Sequence, residues 1–205
     1  MSIRGQIEQA LTSIAQLTAG SGAPWIVGGS AGLMLRGTAL NSEPRDLDLY
    51  TDEADVARLH ALLQPFSTDM PVLDETGIYR SRLSHYLIDG VPVELVGGFV
   101  VRAHDSCYET QVRSLLLPYA EQIKVGRGGS APAATVSVVP LAHELWFNVL
   151  RDRPDRYELI IEAYCEDEAR HKPALEQLES CNQLSAALKA EVRRWIAEQR
   201  VGQLI

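Results

Sequence analysis

Apolar side chains recur at steps of three and four at the start of the chain, at Ile3, Ile7, Leu11, Ile14 and Leu17. That spacing predicts a helix over 3–18 with one buried face. Gly20, Gly22 and Pro24 end it. Trp25, Ile26 and Val27 form a short apolar run and predict a buried strand. Gly28-Gly29-Ser30-Ala31-Gly32 then leads into Leu33, Met34 and Leu35, which reads as a tight glycine turn and a short helix. Residues 37–45 are polar and read as a loop. Arg45 to Tyr50 alternates polar and apolar, as a half-buried strand does. Val56, Leu59 and Leu63 place a helix over 54–63. Asp89-Gly90, between Tyr79–Ile88 and Val91–Val96, predicts a hairpin over 78–96. Residues 112–123 fit strand, helix or both.

Residues 126–134, rich in glycine and alanine, read as a linker or mobile loop. Val136 to Val139 predicts a last strand, closed by Pro140. Three helical stripes follow: Leu141, Leu145 and Val149; Tyr157, Ile160, Ile161 and Tyr164; Leu184, Leu188, Val192, Trp195 and Ile196. No strand is predicted beyond residue 140. The expected organisation is an α/β (α+β) domain over 1–135 and a helical C-terminal domain over 136–205.

The 205 residues suffice for a domain with a smaller one attached, and 46% hydrophobic with 22% charged residues excludes a disordered chain. The net charge of −8 argues against bulk nucleic-acid binding, which usually rests on a basic excess. It leaves room for carboxylates that bind metal. No segment reaches the ~20 apolar residues of a membrane helix. The N-terminal residues lack the apolar core of a signal peptide, so the expected location is cytoplasmic. Cys107, Cys165 and Cys181 are widely spaced, form no C-x-x-C pair, and are expected as reduced thiols in or near the core.

Three features carry candidate chemistry. The glycine turn lacks G-x-G-x-x-G, and Thr38 stands where a Walker A motif needs lysine. What survives is a turn whose backbone N–H groups can approach a phosphate at a helix N-terminus, with Ser30 adding a hydroxyl; the plain alternative is a tight connection. Asp46 and Asp48 stand two apart on a predicted strand, so both carboxylates share one face while Leu47 and Leu49 enter the core. Magnesium suits such a pair, and a solvated strand face is the alternative. Glu94 faces away from Val91, Val93 and Leu95, although Pro92 also fits an edge strand. Two-metal phosphoryl chemistry needs donors for a triphosphate, carboxylates for the metals, and a third carboxylate near the attacking hydroxyl.

In this order the segments Val27-Gly-Gly-Ser-Ala-Gly, Leu35-Arg-Gly-Thr and Arg45-Asp-Leu-Asp-Leu resemble the nucleotidyltransferase superfamily typified by DNA polymerase β. The resemblance is greatest to its small bacterial members, the aminoglycoside and lincosamide nucleotidyltransferases and the abortive-infection nucleotidyltransferase toxins. It implies a mixed β-sheet flanked by helices, followed by a helical part. It also implies that Gly28, Gly29, Ser30 and Arg45 bind the nucleotide. Asp46, Asp48 and Glu94 would be the catalytic carboxylates, holding one or two Mg2+ ions, with NTP as substrate. Asn148 stands where relatives carry lysine, while Arg151, Arg153 and Arg156 could reach phosphate or pair with Asp152 and Asp155.

The expected activity is transfer of a nucleoside monophosphate from Mg–NTP to a hydroxyl acceptor, with release of pyrophosphate. The acceptor would be a small molecule such as an antibiotic, or a protein or tRNA. The alternatives are an inactive nucleotide-binding module, or a toxin–antitoxin or homo-oligomeric interaction protein on the same fold. His85 either faces the same cleft as Glu94 or is a packed or surface histidine. His104 and His143 lack an H-x-x-x-H partner, and no G-x-S-x-G elbow supports a hydrolase triad.

Overall fold

The computed structural model describes residues 2–126 and 133–202. Most of the expected 126–134 loop therefore lies outside the described residues. By internal contacts the chain divides into two units, one of Met1–Phe99 with Thr110–Val139, the other of Val100–Glu109 with Pro140–Ile205.

In the first unit, α1 (Ile3–Leu17) opens the fold, capped by the Ser2 hydroxyl on the Gly5 N–H. Next come β1 (Ile26–Gly28), α2 (Gly29–Arg36), β2 (Leu47–Thr51) and α3 (Val56–Leu63). The strands β3 (Val72–Thr76), β4 (Tyr79–Ile88), β5 (Val91–Ala103), β7 (Glu121–Val125) and β8 (Ala134–Val138) follow, while β6 (Ser106–Glu109) and the end of β5 belong to the second unit. The sheet runs β3-β4-β5-β2-β1-β8-β7, with β6 paired to the far end of β5. β1 lies antiparallel to β2, while β1–β8 and β2–β5 are parallel, so the sheet is mixed.

The core of this unit forms where one sheet face meets the first three helices. Ile7, Leu11 and Ile14 of α1, Leu35 of α2 and Leu59 of α3 pack with Val27, Leu47, Leu49, Val93 and Leu95. Because side chains alternate along a strand, burying Leu47, Leu49, Val93 and Leu95 turns Asp48 and Glu94 to the opposite face. The β4–β5 hairpin turns at Asp89 (φ 51°) and Gly90 (φ 78°), the two positive φ angles that a tight right-twisted hairpin needs.

The second unit is mainly helical. α4 (Leu141–Leu150) is buried along all ten residues. α5 (Pro154–Glu166), α6 (Glu168–Cys181) and α7 (Ala186–Gly202) complete it. Cys107 bridges to Gln183 through paired backbone hydrogen bonds of 2.7 and 3.1 Å, tying β6 to the start of α7.

The differences from the sequence reading have physical causes. Residues 112–123 combine both options: a π-type turn over Val112–Leu116, a 3-10 turn over Leu117–Tyr119, then β7. β3 is an exposed edge strand without buried alternation, and β6 is only four residues long. α6 carries few apolar residues and an internal Pro173, which hides its periodicity. Cys181 is exposed rather than core, while Cys107 and Cys165 are partly buried and all three are free thiols.

Candidate active site

β1, β2 and β5 are neighbours, and their register aligns Gly28 with Asp48 and Asp48 with Glu94. Directly paired residues project from the same face. Asp48 and Glu94 are therefore side by side, roughly the 4.8 Å strand spacing apart at the backbone. Gly28, the third member of the row, contributes bare backbone. A Cβ there would meet the Tyr50 ring at 2.1 Å, so glycine is what lets Tyr50 lie across the row. Tyr50 is buried and packs against Phe99, which packs against Tyr79.

Gly29 turns the chain from β1 into α2 with φ +61°, a conformation that costs glycine nothing. A Cβ on Gly29 would meet Asp48 Oδ2 at 1.9 Å. The carboxylate thus lies against the turn itself. The N-cap residue Gly28 brings no side chain to the start of α2, and a helix N-terminus suits an anion. Ser30 lies in that turn and is half-buried. Arg45 is exposed in the approach to β2. Asp46 sits on the bend one residue before β2, outside the paired ladder, and is half-buried.

Among the described residues, no three His, Cys, Asp or Glu side chains converge closely enough to hold an ion by themselves. Magnesium does not require that. It is usually held by one or two carboxylates, with substrate phosphates and water completing its shell. Asp48 and Glu94, with Asp46 two residues upstream of Asp48, supply hard oxygen donors of the right kind beside the glycine turn, so the residues present fit the group.

His85 faces Glu94: its Nε2 lies 3.9 Å from Glu94 Oε1. The other ring nitrogen, Nδ1, lies 2.5 Å from Asp69 Oδ2, and Asp69 Oδ1 accepts the His85 backbone N–H at 2.7 Å. Burial raises the Asp69 carboxyl, but the backbone and imidazole hydrogen bonds from His85 outweigh it and hold the group below the usual carboxylate range. Asp69 was not legible as a site residue. Only the zipping of residues 67–69 onto β4, through the Ser67–Tyr86 bridge and the Thr68 N–H on His85 O at 3.0 Å, brings it there.

In the second unit, Asn148 is buried and donates to the Glu144 carbonyl at 2.8 Å and to Glu144 Oε2 at 3.2 Å. Arg153 grips Asp155 with two hydrogen bonds of 2.9 and 2.8 Å, and Arg156 adds a longer contact to it. Arg151 stacks over the Phe147 ring. Two cavities of about 310 Å3 lie in this unit, lined by residues of α5, α6 and α7. Neither contains a candidate nucleotide- or metal-binding residue, and the paired carboxylates are the better guide to chemistry.

No family model matches the sequence, nor does any curated protein match it. Solved structures do match. A candidate nucleotidyltransferase from Thermotoga maritima aligns with a TM-score of 0.60 at 21% identity, covering 80% of this chain and 96% of that one. The chain has the nucleotidyltransferase fold. The antibiotic-resistance factor ANT(2″)-Ia aligns with a TM-score of 0.50 at 12% identity, over 92% of this chain and 97% of that one. The mixed sheet flanked by helices, with helices following, is the architecture the sequence resemblance implied. No helix among the described residues is long and apolar enough to cross a membrane.

Proposed function

We propose that the protein transfers a nucleoside monophosphate from Mg–NTP to a hydroxyl acceptor and releases pyrophosphate. The observation that carries this reading is the pairing of Asp48 with Glu94 across β2 and β5, beside the Gly28-Gly29-Ser30 turn. Asp46, Asp48 and Glu94 would hold Mg2+, which when bound neutralises charge on the triphosphate and polarises its phosphoryl oxygens. The α2 N-terminal N–H groups and the Ser30 hydroxyl bind phosphate oxygens, and Arg45 adds a positive charge at the mouth. Glu94 accepts the proton of the attacking hydroxyl.

A small hydroxylated molecule suits the acceptor role, and the net charge of −8 favours a cationic one. The fold neighbour ANT(2″)-Ia, an antibiotic-resistance factor, supports the same choice. A protein or tRNA acceptor is the next option. The test is incubation with four α-labelled NTPs and a panel of antibiotics, tRNA and proteins. Label transferred by wild type and lost in Asp48→Asn is expected; an unlabelled panel with no pyrophosphate release contradicts transfer.

One observation favours a second reading. Asn148, where relatives carry lysine, is committed to Glu144 inside α4. A protein that binds Mg–NTP stoichiometrically without releasing pyrophosphate would be a nucleotide-binding module on this fold.

A further inference from the structure

The Asp69–His85 pair beside Glu94 has no part in the scheme above. A carboxylate is acceptor-only, so Asp69 Oδ2 requires the proton of the His85 ring on Nδ1. In the neutral ring Nε2 is then an acceptor, and it points at Glu94 Oε1, another acceptor, 3.9 Å away. That separation is too long for a direct hydrogen bond and has room for a donor between the two atoms. Both side chains are reachable, His85 at 44% and Glu94 at 34% exposure. The ring is also held in place. Asp69 takes the His85 backbone N–H as well as its imidazole, the Ser67 hydroxyl donates to the Asp69 carbonyl, and Thr68 N–H bonds the His85 carbonyl.

We infer that His85 Nε2 and Glu94 Oε1 together receive the acceptor's hydroxyl, sharing its hydrogen between them, and that Asp69 is a positioning residue that fixes the ring. This inference rests on the proposed nucleotidyl transfer and adds to it the residue that places the nucleophile. Asp69 works through hydrogen-bond polarity rather than bulk, which makes Asp69→Asn a sharp probe. The His85 backbone N–H pins the amide oxygen at the Oδ1 position. The amide nitrogen must then face Nδ1 and donate to it. The ring proton moves to Nε2, which becomes a donor aimed at Glu94 and no longer accepts from a hydroxyl.

The experiment combines nitrogen-15 NMR of the His85 imidazole with Mg–NTP titration and transfer from α-labelled NTP to two probe acceptors, water and tobramycin, in wild type and Asp69→Asn. The expected wild type carries its ring proton on Nδ1, and the variant carries it on Nε2. Transfer falls about 10- to 100-fold in the variant, the range for losing a hydrogen bond to a charged or polarised group, while the Mg–NTP Kd stays within about twofold. A merely structural role for Asp69 would weaken Mg–NTP binding along with transfer. A wild-type ring protonated on Nε2, or a variant that transfers as fast as wild type, overturns the inference while the nucleotide site stands. A wild type that does not bind Mg–NTP overturns the transfer reading itself, and the acceptor role falls with it.

Discussion

Gly29 and Asp48 are coupled so tightly that a single methyl group should separate folding from function. In Gly29→Ala the new Cβ collides with a carboxylate at the end of a flexible side chain, which can swing away. The cost to stability is then mostly that of φ +61° in a residue with a Cβ, about 1–2 kcal/mol. Under the proposed function, displacing Asp48 removes a metal ligand. Thermal or urea unfolding should show the modest loss, and titration should show Mg–NTP affinity falling at least about tenfold. His143 makes a different prediction. It is fully buried, bonded to Tyr108 through Nδ1 at 2.8 Å, and burial pushes its pKa down to about 3 from 6.5. The unfolded chain therefore binds a proton below pH 6.5 that the folded chain refuses. Stability from this group is full above pH 6.5 and is lost as pH falls towards 3, at about 1.4 kcal/mol per pH unit. Urea midpoints at pH 7 and pH 5 should differ in wild type and converge in His143→Gln. Asp48, Glu94 and the glycine turn were legible in the sequence because each depends on local alternation or spacing, whereas Asp46 falls on a bend before β2, off the strand alternation expected of it. Asp69 was not, since it lies sixteen positions before His85 and only a strand bridge brings the two together.

At the level of elements, periodicity carried most of the information. The first helix, the glycine turn and the Asp-x-Asp strand lie within a few residues of their expected bounds, and the hairpin turns at Asp89-Gly90 as expected, though β5 runs on to Ala103 instead of ending at Val96. What sequence periodicity could not give was which strands become neighbours. The parallel β2–β5 pairing, with 45 residues between its ladder partners Asp48 and Glu94, turns separate acids into a pair. Elements whose exposure breaks the pattern, β3 and α6, were invisible for the same reason. α2 depends on an anchor at its far end. Arg36, with a side chain 7% exposed, pairs with Glu121 of β7 and donates to the carbonyls of Val138 and Val139. Arg36→Met leaves a carboxylate and two carbonyls short of a donor. The expected loss is about 2–4 kcal/mol, read as a lower urea midpoint with unchanged slope.

For the molecule as a whole, the proposed function requires that the β1–β2–β5 row and the α2 N-terminus form an Mg–NTP site. The fold supplies the scaffold, but a fold alone does not assign a function. The structural likeness, at 21% identity and below, speaks to architecture, whereas the aligned Gly28, Asp48 and Glu94 speak to chemistry. The acidic balance of the chain sets a further demand, since a triphosphate approaching a protein of charge −8 needs a cation to accompany it. The most direct measurement is calorimetric titration of ATP, GTP, CTP and UTP, each with and without magnesium, into wild type and Asp48→Asn. Saturable binding of at least one NTP is expected, requiring magnesium and disappearing in Asp48→Asn while the variant's unfolding midpoint holds. Binding that is indifferent to magnesium or to Asp48, or no binding of any NTP to wild type, would contradict the proposed function.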